Sequence, residues 1–192
     1  MTRLSLKSSS PANWIETVLT RFDDFLLDHA ANERKASAMA MSMVAHYPDR
    51  TRLVTAMIEL ALEELNHFRQ VVKLATSRQL TLRPDEKDPY VNQIQVHMRK
   101  GKDDYFLDRL LSAAVIEARG AERFDIIATT ITDPELATFY KTLARSEHNH
   151  HQLFINLAGE YFSRDAIDLR LEEWLQIENT IMTGLPIRPR LH

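Results

Sequence analysis

Cysteine is absent from all 192 residues. That excludes disulfides, thiolate metal sites, cysteine-held iron–sulfur clusters and a cysteine nucleophile. Glycine occurs four times, too seldom for a turn-rich β protein and in keeping with long helices. No apolar run reaches the roughly 20 residues that cross a bilayer. The opening "MTRLSLKSSSPANW" has no apolar core of a secretory leader, and no glycine-rich dinucleotide fingerprint follows anywhere. A net charge of −3 is unlike that of a strongly basic nucleic-acid binder. These absences leave a cytoplasmic helical chain, with residues 1–192 expected to form a single domain.

Helix signals divide that chain. "SSSPANW" opens a first helical segment, with serines as caps and Pro11 near the first turn. It runs to Pro48, with one break expected within 20–24. A second helix is expected over 49–75, followed by the loop-like "TSRQLTLRPDEKDPY". A short helix over 91–99 ends at Gly101, and a third long helix covers 103–131. In "TDPE", Asp133 caps and Pro134 starts a fourth helix that ends near Gly159. A C-terminal helix and tail fill 163–192. The predicted fold class is all-α.

The second helix places Leu53, Met57, Leu60, Glu64, His67, Val71 and Leu74 on one face. Adding 83 to each number gives Leu136, Tyr140, Leu143, Glu147, His150, Phe154 and Leu157 on the fourth. Each apolar stripe is interrupted at the same two places by Glu-x-x-His, with Asn66 and Asn149 just before the histidines. A carboxylate and an imidazole in a core-facing stripe are costly to bury unless paired or metal-bound. At i and i+3 both side chains reach one point in space. In "SEHNHHQLF", His150 is therefore the imidazole expected to do chemistry, whereas His148 and His151 point off the stripe, towards the surface or an outer shell.

Each preceding helix adds one glutamate to a mostly apolar or small face. The first reads Phe22, Leu26, Ala30, Glu33, Ser37, Ala40, Val44; the third reads Leu110, Ala114, Glu117, Ala121, Phe124, Ala128. Glu33 precedes Glu64 by 31 residues and Glu117 precedes Glu147 by 30. Two similar helix pairs thus contribute Glu, then Glu-x-x-His. Four glutamates and two histidines on four helices make a two-metal carboxylate site of the ferritin-like type. The expected architecture is a four-helix bundle with one long crossover, plus extra short and C-terminal helices, its core over about 13–174. The 50 residues from His67 to Glu117 are enough for that crossover. The hard, oxygen-rich donor set suits iron or manganese. Gly120 lies one turn after Glu117, where glycine costs roughly 1 kcal/mol relative to alanine. It either leaves room for O₂ and substrate or lets helices pack closely.

These residues, with the neighbourhoods "DHAANERKAS", "ALEELNHF", "IEARGAERF" and "LARSEHNHHQLF", resemble the bacterial tRNA-(2-methylthio-N6-isopentenyladenosine) hydroxylases. The resemblance implies a non-haem diiron monooxygenase. Such an enzyme uses O₂ and two electrons to hydroxylate the isopentenyl group of a modified adenosine beside the anticodon of tRNA. The resemblance implies that Glu33, Glu64, His67, Glu117, Glu147 and His150 hold two iron ions. Glu64 and Glu147 would bridge, Glu33 and His67 would complete one iron, and Glu117 and His150 the other. With neither a dinucleotide fingerprint nor cysteine, a separate reductase or electron carrier is expected.

Charge is compatible with an RNA substrate. Setting aside the four stripe glutamates leaves 23 of the 27 acidic residues against 24 basic ones. Arg99, Lys100 and Lys102 near the crossover, and Arg188 and Arg190 in the tail, are candidate contacts to the phosphates of a tRNA anticodon loop. Two other readings stay open: a ferritin-like iron-oxidising or storage protein, and a non-enzymatic helical tRNA-binding protein.

Overall fold

The computed structural model describes residues 4–192. Seven helices and no strand occur among the described residues: α1 Ala12–Thr20, α2 Phe22–His46, α3 Thr51–Ser77, α4 Pro89–Val96, α5 Lys102–Thr130, α6 Pro134–Gly159 and α7 Arg164–Gly184. None of these helices is long and apolar enough to cross a membrane. Contacts divide the chain into two units: residues 16–86 with 188–191, and residues 4–15 with 87–187 and 192.

In the first unit, α2 and α3 form an antiparallel hairpin. Pro48 lacks the N–H that would continue α2, and the N–H of Tyr47 closes the helix on the Met43 carbonyl. The helical path breaks at Arg21, with φ −124° and ψ 45°, inside the expected interval. The buried face of α3 carries Leu53, Met57, Leu60, Glu64, His67 and Val71 of the stripe expected from helical spacing, with Leu74 half-buried at its end. Ser37 on α2 donates to the Ala61 carbonyl at 2.8 Å, tying the two helices at a point where small residues meet.

The second unit is built around α5, which packs against both α6 and α7 and is buried on nearly every side. Asp133 caps α6 by accepting from the N–H groups of Glu135 and Leu136 at 2.8 and 3.1 Å. The short helix is displaced from the expected 91–99. Asp88 accepts from the N–H groups of Tyr90 and Val91, so α4 starts at Pro89 and ends at Val96. Gly101, with φ 111°, turns the chain into α5 through a backbone conformation that other residues rarely adopt.

Burying α5 also buries charge. Asp108 is inaccessible to solvent. It accepts from Arg170 Nε and Nη2 at 2.7 and 2.8 Å, and from Arg99 Nη2 and the Arg99 N–H at 2.8 Å each. Burial pushes its carboxyl upward, but Arg170 and Arg99 override that and hold it below the ordinary range. A second pair, Arg119–Glu178, joins α5 to α7 at 2.7 Å, and the Tyr90 hydroxyl donates to the same glutamate.

A carboxyl with a lowered folded pKa stabilises the protein above its unfolded value, about 3.9, and loses that contribution as the pH falls through the folded value. Asp108→Asn leaves Arg170 without its buried counter-charge and should cost about 3 kcal/mol or more at pH 7. In thermal melts from pH 7 to pH 3, the gap between parent and variant should narrow on acidification. A gap that stays constant would show that another group carries the acid dependence.

Candidate metal centre

Each unit holds one Glu–Glu–His triad. On α2 and α3, Glu33, Glu64 and His67 are buried, and each offers one ligand atom within 4.8 Å of the other two. The single turn from Glu64 to His67 brings their side chains together, and Glu33 arrives from the facing helix of the hairpin. His67 Nδ1 lies 3.6 Å from Glu33 Oε2 and 3.4 Å from Glu64 Oε2. On α5 and α6, Glu117, Glu147 and His150 are also buried, with ligand atoms within 4.8 Å of one another. Here His150 Nδ1 lies 3.5 Å from Glu147 Oε2.

The donor chemistry of these triads fits a divalent metal. Burial opposes a proton on His67, yet Glu33 and Glu64 outweigh it and raise its pKa to about 10. Two buried carboxylates therefore demand a positive charge beside them, and a proton or a metal cation can supply it. Donor separations near 3.5 Å also suit neighbouring ligands around one cation held at about 2.1 Å.

His29 belongs to this site but escapes the stripe pattern of the sequence. It is fully buried, and its Nε2 lies 2.6 Å from Glu33 Oε1. That contact fixes the carboxylate and leaves Oε2 on the side of His67. Its spacing, one turn before Glu33, is the signal that could have found it. Of the two histidines placed off the stripe, His148 is partly exposed and hydrogen-bonds Asp125 at 2.9 Å. His151 is buried, edge-on to the His148 ring at 5.7 Å, rather than at the surface.

Gly120 faces a ligand. A Cβ added there would lie 4.0 Å from both Cγ and Oε2 of Glu147, an ordinary contact. The candidate phosphate contacts are less uniform. Arg99 is engaged with Asp104 and Asp108, whereas Lys100 and Lys102 are exposed. In the other unit, Arg190 pairs with Glu86 and Asp28, and Arg188 is exposed.

Gly120→Ala should stabilise the protein by up to about 1 kcal/mol of helix propensity, seen as a higher melting temperature, and keep the metal. Gly120→Leu should press on Glu147 and weaken cobalt(II) or iron(II) binding. His29→Ala should weaken metal binding by about 10–100-fold, the usual effect of removing a group that orients a ligand, with helix content unchanged by circular dichroism. Parent-like affinity in the His29 variant would remove it from the site.

A family model and two curated relatives name one family. The family model described as tRNA-(MS[2]IO[6]A)-hydroxylase (MiaE) matches residues 2–192. The tRNA 2-(methylsulfanyl)-N(6)-isopentenyladenosine(37) hydroxylase of Pseudomonas putida is 36% identical over 152 residues, 79% of this chain and 74% of that protein. The Salmonella typhimurium protein of the same name is 30% identical over 165 residues, 86% of this chain and 60% of that protein. Among solved structures, a Synechococcus protein with aldehyde deformylating oxygenase activity superposes with a TM-score of 0.93 at 33% identity. That match covers 100% of this chain and 96% of the other, and it places the all-α fold in the ferritin-like class. With the Glu, Glu-x-x-His pattern present in both helix hairpins and residues 2–192 matched by the family model, this chain belongs to the tRNA-(MS[2]IO[6]A)-hydroxylase family.

Proposed function

We propose that this chain is a non-haem diiron monooxygenase that hydroxylates the isopentenyl group of 2-methylthio-N6-isopentenyladenosine, next to the anticodon of tRNA. The observation that carries the reading is the repeated buried Glu–Glu–His triad in a chain of the tRNA hydroxylase family. Residues 1–192 act as one domain in this proposal, with Glu33, Glu64, His67, Glu117, Glu147 and His150 as ligands of two irons. Iron bound there supplies the activation of O₂ that attack on a C–H bond requires.

The protein residues have distinct tasks. The buried triads keep water from the reacting centre. His29 orients Glu33, and Gly120 leaves space beside Glu147 for a substrate group. The modified base is splayed from the anticodon loop and extends its isopentenyl tail inward, while the RNA stays outside. The two electrons per turnover come from a separate reductase or carrier, because the chain has no cysteine and no dinucleotide fingerprint. The cytoplasm, where tRNA is modified, is the proposed location.

Nucleoside analysis of tRNA from cells lacking the protein tests this reading. The hydroxylated nucleoside should disappear and its prenylated precursor accumulate, and the parent gene should restore it. Glu117→Ala and His150→Ala should fail to restore it and should lose most of the two-per-chain iron while remaining helical. Unchanged hydroxylation in the deletion strain would overturn the substrate. Iron uptake far beyond two per chain would favour storage. Steady turnover with NAD(P)H alone would overturn the separate donor. Aldehyde consumption with no action on tRNA would favour the activity named for the Synechococcus relative.

A further inference from the structure

In the first unit, a cleft of about 230 Å³ lies along the N-terminal half of α2, with Ala31 and Lys35 of its lining on either side of Glu33 in sequence. Arg21, Asp24, Asp28 and Lys35 line one wall, at the three- and four-residue steps of a single helix face. Two segments that carry prolines form the rest: Arg83 to Glu86, and Arg188 to Arg190. Five cationic side chains and three carboxylates thus face one space, in a chain whose net charge is −3.

The carboxylates are already satisfied. Asp24 accepts from Arg21 at 2.6 and 3.0 Å and from Arg83 at 2.8 Å, and those two arginines hold its carboxyl below the ordinary range. Glu86 pairs with Arg190. Asp28 accepts from the Leu191 N–H at 2.9 Å and from Asn32 at 3.0 Å. These bonds anchor both proline-bearing walls. Two cations remain outside them. Lys35 Nζ donates to the backbone oxygen of Glu86 at 2.9 Å, not to a carboxylate. Arg188 is exposed and forms no close ion pair among the described residues, though its charge reaches Glu86.

We propose that this cleft is an anion site that takes a backbone phosphate of the RNA substrate, with Lys35 and Arg188 as the cations that meet it. The proposal rests on the tRNA reading above and assigns that reading a surface. The cleft holds several times the roughly 30 Å³ of a liquid water, so a partly hydrated phosphate fits. Walls fixed by ion pairs and prolines hold Lys35 and Arg188 at the same cavity before RNA arrives, which reduces the ordering cost of binding. The exposed Arg188 and Arg83 at the rim leave the site accessible to a polymer as well as to a small ion.

The test uses the iron-loaded full chain and a labelled anticodon stem–loop RNA carrying the prenylated adenosine. Binding is followed across a salt series for the parent, the double variant Lys35→Glu/Arg188→Glu, and the neutral pair Lys35→Gln/Arg188→Gln. Both variants should keep the parent's circular dichroism and iron content. The reversal should weaken binding by tenfold or more. Both variants should lower the slope of log K against log salt by about 0.7 to 0.9, as expected for one lost phosphate. Parent-like affinity and slope in both variants, with the parent binding and hydroxylating the RNA, would overturn the cleft alone. A parent that binds iron but not this RNA would overturn the tRNA reading and the cleft with it. Inorganic phosphate should compete no better than chloride at equal ionic strength. Displacement of RNA by sub-millimolar phosphate would instead assign the cleft to a free phosphate ligand.

Discussion

Two carboxylates buried beside one imidazole cannot stay as they are without a positive charge. That constraint organises both helix hairpins. In water each glutamate would be solvated separately; inside the protein, each negative charge must be answered at short range. The raised pKa of His67 expresses this demand in proton terms. A metal ion answers the same demand with a larger charge and with directional bonds to all three side chains. The triads are thus poor choices for stability and good choices for a cation site.

Holding such groups in place requires rigid helices, and the second unit shows how that rigidity is reached. α5 carries Glu117 and is enclosed by α6 and α7. Its buried charges are matched individually: Asp108 by Arg170 and Arg99, and Arg119 by Glu178. Breaking any of these leaves an isolated charge in a low dielectric, so each pair fixes orientation even where its net contribution to stability is small. Arg123 is a different case. Burial, with Arg119 nearby, brings it down to about 10, and its guanidinium lies 4.7 Å from the centre of the Trp14 ring.

Features governed by local spacing are legible in the sequence. The stripes of α3 and α6, the Asp133 cap and the break before α2 all depend on residues within one or two turns. The start of α4 is less so, because "KDPY" serves equally as loop punctuation and as a cap with proline at the first position; the side-chain bonds of Asp88 decide it. His29 is hidden because a histidine near an apolar face reads as core until its partner is located. Arg99 reads as a free surface cation because it lies outside the helices, nine residues before its partner Asp108 on α5, and Arg170 completes the cluster from another helix. The cleft beside α2 has walls from three segments far apart in the chain, and no spacing rule connects them.

The two tryptophans have a practical consequence. Trp14 and Trp174 both belong to the second unit, are both buried, and each lies beside an arginine, Arg123 and Arg170 respectively. Intrinsic tryptophan emission therefore monitors the environment of α5 and α7. The α2–α3 hairpin contains none. If that hairpin loosened while the other unit held, far-ultraviolet dichroism would fall before the emission maximum moved. The chain thus carries optical probes in one of its two units, and a difference between those two signals would resolve their order of unfolding without any added label.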